Sequence, residues 1–69
     1  MTTAIEQIVV GYVRLKDRRT LEQLRAHRQS LVIDLNKVRS DSSFDLSRPI
    51  RNLVEDIAAI DAGIEQLEA

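Results

Sequence analysis

The residues with most chemistry to offer lie in one run, Tyr12 to Arg28, "YVRLKDRRTLEQLRAHR", which holds six Lys/Arg and the single histidine in seventeen residues. Cationic side chains at that density can neutralise phosphates, so nucleic-acid binding is the first chemistry to weigh. On a continuous helix Arg14, Arg18 and Arg25 fall on one stripe, the place where such contact would be made. Two features argue against it. Aromatic residues are limited to Tyr12 and Phe44, so stacking platforms for unpaired bases are missing. The charge also has a partner within the chain, whose net charge is −1. Residues 10–40 hold eight Lys/Arg and three Asp/Glu, whereas residues 41–69 hold two and seven. A basic half followed by an acidic half is the pattern of two helices that pair with each other.

Catalytic arrangements are missing from the sequence. It has no Gly-rich phosphate loop, nucleophile elbow or HExxH motif. Glu55 and Asp56 are adjacent and so point to different sides of a helix. Small helical mutases of the chorismate type build sites from Arg, Lys and Glu, but this chain is short for one and its Arg residues lie mostly off the apolar seam. His27, alone among polar neighbours, reads as a surface residue rather than a base or ligand. With no Cys and one His, neither a disulfide nor a metal centre is expected, and no cofactor is implied. The expectation is a non-enzymatic protein.

The elements that carry these residues are helical. Large aliphatic residues recur at alternating steps of three and four in two segments. The first runs Leu21, Leu24, Arg28, Leu31, Leu35, Val38; the second runs Ile50, Leu53, Ile57, Ile60, Ile64, Leu67. Between them, "SDSSFDLSRP" supplies turn formers and the only proline. Ser47 is expected to cap the second helix, with Pro49 in its first turn where the missing N–H does no harm. Phe44 and Leu46 are expected to close the end of the seam. Folding at this loop pairs Val38 with Ile50 and Leu21 with Leu67, and the residue numbers of every seam pair add to 88. One antiparallel register satisfies the whole seam. It sets Arg25 against Asp61, Arg18 against Glu68, Val32 against Val54, His27 against Gly63, and Asp34 beside Asp56. Arg28, opposite Ile60, can pack its stem and lead its charge out to water.

The N-terminal segment is harder to place. At 100° per residue Ile5, Ile8, Tyr12 and Leu15 share one side, and Val10 and Val13 point away from it. Thr20 followed by Gln23 offers a capping box and a break. The Arg, Lys and Leu residues around it are good helix formers and favour a continuous or mildly kinked helix, the expectation adopted here. Such an arm would run about 24 Å beyond Leu21 at 1.5 Å per residue.

The predicted fold is therefore all-α and a single domain, residues 1–69. It is an antiparallel helical hairpin (about 20–40 and 47–68) with an N-terminal helical extension (about 3–18, continuous or kinked). A 69-residue chain is below the size at which one core comfortably stabilises a monomer. Without disulfides or metal, oligomerisation into a helical bundle is the remaining remedy. Ile5, Ile8, Val9, Tyr12, Val13, Val32 and Val54 are the residues expected at the oligomer interface. The longest apolar run, Ile8 to Val13, contains Gly11 and is too short to span a bilayer, and the N-terminus lacks a secretory pattern. A cytoplasmic location is expected, without membrane contact.

The second half, "SSFDLSRPIRNLVEDIAAIDAGIEQLEA", resembles short helical proteins of phage and prophage morphogenesis clusters. That resemblance implies a structural or adaptor role, with a second copy or another assembly protein as partner. The architecture is also similar to that of the plasmid RNA-modulating hairpin proteins, which form dimeric four-helix bundles. The alternative function it implies is a small dimeric helical-bundle regulator that binds RNA or DNA.

Overall fold

The structure, a computed structural model, describes residues 4–41 and 45–68. It is all-helical, with α1 at Ala4–Arg14, α2 at Arg18–Asp41 and α3 at Ser47–Glu68. The apolar 3–4 repeat produces the two long helices, and their ends have identifiable caps. Asp17 begins α2: its carboxylate accepts a 3.1 Å hydrogen bond from the Thr20 N–H and a 2.7 Å bond from the Thr20 hydroxyl. Thr20 thus completes a cap begun three residues earlier and does not start one with Gln23. At α3 the carboxylate of Asp45 accepts from the Ser47 N–H at 3.0 Å, so Asp45 does the capping expected of Ser47. Pro49 does lie in the first turn of α3. Phe44 lies outside the described residues, and Leu46 is half-buried.

The largest correction concerns the N-terminal segment. No continuous or kinked helix spans residues 3–18. After Arg14 the backbone reverses at Lys16, which has φ 56°, in the left-handed region. The Lys16 N–H donates to the Val13 carbonyl at 3.0 Å and the Asp17 N–H to the Tyr12 carbonyl at 2.9 Å. This pair of bonds is the Schellman arrangement that closes a helix C-terminus. Local propensity favours continuity, but burial decides otherwise: the reversal lets α1 cover the end of the α2–α3 pair. The long dimension of the molecule is 42 Å, close to the roughly 36 Å of a 24-residue helix. Among the described residues there is no projecting arm.

Helices α2 and α3 run antiparallel, as the order of their ion pairs shows. Arg18 meets Glu68, Arg25 meets Asp61 at 2.7 Å, and Arg28 meets Asp56 at 3.5 Å. The core is small and sits where all three helices meet. Among the described residues Val9, Leu21 and Ile60 are the buried hydrophobic side chains, with Ile5, Tyr12, Val13, Leu24, Ile64 and Leu67 packed around them. The side of α1 turned inward therefore carries Ile5, Val9, Tyr12 and Val13, not the expected set of Ile5, Ile8, Tyr12 and Leu15. Ile8 and Leu15 are exposed. The observed set spans about 100° of the helix, one apolar stripe.

Gly63 is what permits this approach. A Cβ built there would overlap Val9 Cγ1 and come within 3.3 Å of Val13 Cγ2. The backbone of α3 is thus seated directly against two valines of α1. The neighbour expected for Gly63 was His27, which is exposed.

Candidate interaction surface

The chain has two differently furnished ends. At the end holding the start of α2 and the finish of α3, three helices enclose the core. At the other end only α2 and α3 remain, because α1 is an 11-residue helix of about 16 Å. Here four apolar residues lie open beside half-buried seam residues: Leu31 is 38% exposed, Ile33 55%, Val38 52% and Val54 51%.

One flank of the α2–α3 pair carries positions seven residues apart on each helix. Arg18–Glu68 and Arg25–Asp61 form its first two rungs. Val32 and Val54 occupy the next positions of the same ladder, seven on from Arg25 and seven before Asp61. Charge thus gives way to apolar surface along one flank. Side chains in the Arg25–Asp61 pair are 44% and 41% exposed, so its net stabilisation is about 0–1 kcal/mol and its larger effect is on alignment. Arg28 sits deeper, with its side chain 21% exposed and its Nε directed at Asp56. The expectation was a head led out to water; the structure instead sets the Arg28 guanidinium against the Asp56 carboxylate.

The seven residues expected at an oligomer interface fall into three groups. Val9 is buried in this structure with Leu21 and Ile60 of its own chain. Ile5, Tyr12 and Val13 pack against the same core. Ile8 and Val54 are exposed, and Val32 is half-buried. Leu31, Ile33 and Val38 complete the open surface and were not in the expected set. Leu31 and Val38 were assigned to the seam, yet a two-helix seam leaves its edge positions in solvent.

The basic stripe of Arg14, Arg18 and Arg25 required a continuous helix. With the reversal at Lys16, Arg14 belongs to α1 and is separated from the other two. Arg18 is held by Glu22 at 2.9 Å as well as by Glu68. Two of the three cations therefore face carboxylates.

Titration behaviour is altered at the helix caps. Hydrogen bonds from the Thr20 hydroxyl and N–H hold the Asp17 carboxyl below the ordinary aspartate value. The Ser47 hydroxyl and N–H do the same for Asp45. Among the described residues, no helix is long and apolar enough to cross a membrane. No protein-family model, curated protein or solved structure matches the chain.

Proposed function

We propose that this chain is a non-enzymatic, self-associating helical module that acts through helix–helix contact, with α2 and α3 as the hairpin that presents the contact surface. The observation that carries the reading is the α2–α3 end that α1 does not reach, where Leu31, Ile33, Val38 and Val54 are exposed. The resemblance of the second half to phage morphogenesis proteins suggests an assembly as the setting.

Sedimentation equilibrium at micromolar concentration tests the proposal. A dimer or higher oligomer is expected, and Val54→Asp should shift it towards monomer while retaining helical circular dichroism. A folded 7.8 kDa monomer across the whole range would overturn the reading. The nucleic-acid alternative has weaker support, because Arg18 and Arg25 face carboxylates. It would take precedence if duplex or loop RNA bound selectively and persisted in high salt.

A further inference from the structure

We propose that the α3 cleft around Gly63 is also a site for α1 of a second copy of this chain, so that two chains exchange their α1 helices. The proposal rests on the self-association reading and names the segment that crosses between chains.

The connection between α1 and α2 is held in its reversed form against local preference. It consists of Leu15, Lys16 and Asp17, with neither Gly nor Pro. Lys16 occupies the left-handed region, where a Cβ is crowded by the following carbonyl. Leu15 is 74% exposed at the turn. Straightening these three residues would relieve the conformation at Lys16 and join α1 to α2. The cap formed by Asp17 and Thr20 opposes that change, since it exists only while α2 begins there. The reversal is thus a balance of two local terms, and a short strained connection is the kind that favours exchange between chains.

The occupant follows from the fit. On a continuous helix, α1 would point away from the α2–α3 pair, which would lift its apolar stripe of Ile5, Val9, Tyr12 and Val13 off Leu21, Ile60 and Gly63 of its own chain. The surface shaped to receive it is the cleft in which Val9 and Val13 meet Gly63. A straightened chain also leaves its own cleft empty, so two such chains satisfy each other reciprocally. Val10 and Ala62 line the outer edge of this cleft and are exposed. They are convenient markers of which chain supplies α1.

The chain has no native Cys, so the variant Val10→Cys/Ala62→Cys can be bridged with a short bis-maleimide and resolved on a denaturing gel. Exchange predicts links between two chains, increasing with protein concentration. Lys16→Gly favours the reversal and disfavours the continuous helix, so it should weaken the exchanged dimer about 100-fold or more. Asp17→Ala removes the cap and should tighten the dimer by about tenfold. Links found only within single chains would overturn the proposal; if sedimentation still gave a dimer, association through the open α2–α3 end would stand. A monomer at every concentration would remove both readings. Should the double-cysteine variant fold poorly, sedimentation of Lys16→Gly and Asp17→Ala decides alone: displacements in opposite directions support exchange, and any other result overturns it.

Discussion

The two glycines show how much depends on where a residue sits. Gly11 has open space where a Cβ would go, whereas Gly63 has Val9 Cγ1 there. Gly11→Ala should stabilise the chain by about 0.5–1 kcal/mol, the ordinary gain of replacing glycine inside a helix. Gly63→Ala receives the same propensity gain but must displace a β-branched valine that has few alternative rotamers. Overpacking of this kind costs about 1–3 kcal/mol, so the net change should be destabilising. Thermal or urea unfolding of the two variants checks the opposite signs. The double variant Val9→Ala/Gly63→Ala should recover part of the loss beyond additivity, because the second change makes room for the first. Equal effects at both positions would mean that α1 does not pack on Gly63. Nothing in the sequence distinguished the two glycines, since their difference arises only once α1 has folded back.

At the scale of the helices, the titration of the caps makes a prediction. Both Asp17 and Asp45 have folded-state values below the ordinary aspartate value, because each carboxylate accepts hydrogen bonds from the residue it caps. A depressed folded value means stability that is fully present above the unfolded value, about 3.9, and lost as pH falls through the folded values. Thermal midpoints should therefore fall as pH is lowered below about 4. Asp17→Asn and Asp45→Asn keep a capping oxygen that does not titrate, so each should flatten the acid limb. Unchanged acid limbs in both variants would show that other carboxylates carry the acid dependence. The antiparallel register was legible in the sequence because a 3–4 repeat and complementary charge act along whole helices. The reversal at Lys16 was not, because the residues around it favour helix and the decisive term is burial against α3. The open end was half legible: Val32 and Val54 were singled out, but Leu31 and Val38 look like seam residues until a third helix is seen to be missing beside them.

For the whole molecule, the division between a three-helix end and a two-helix end makes α1 a structural member rather than an appendage. It supplies Val9, one of the three buried hydrophobic side chains among the described residues, and its stripe covers Leu21, Ile60 and Gly63. Without it, two helices of 24 and 22 residues would face each other along a seam open on both flanks. Each large aliphatic side chain uncovered loses up to about 1.5–3 kcal/mol of burial, and small domains have total stabilities of about 5–15 kcal/mol. Deleting residues 1–15 should therefore abolish cooperative thermal unfolding at low micromolar concentration, with circular dichroism showing a shallow, concentration-dependent helical signal. A peptide of residues 1–15 added to the shortened chain should restore the helical signal saturably, because the cleft at Gly63 meets the same Ile5, Val9, Tyr12 and Val13 stripe whether or not a backbone bond connects it. A shortened chain that kept the melting temperature of the full chain would place the stabilising core between α2 and α3 alone. A shortened chain that melted poorly but ignored the peptide would show that the covalent reversal at Lys16, rather than the stripe, is what seats α1 in its cleft.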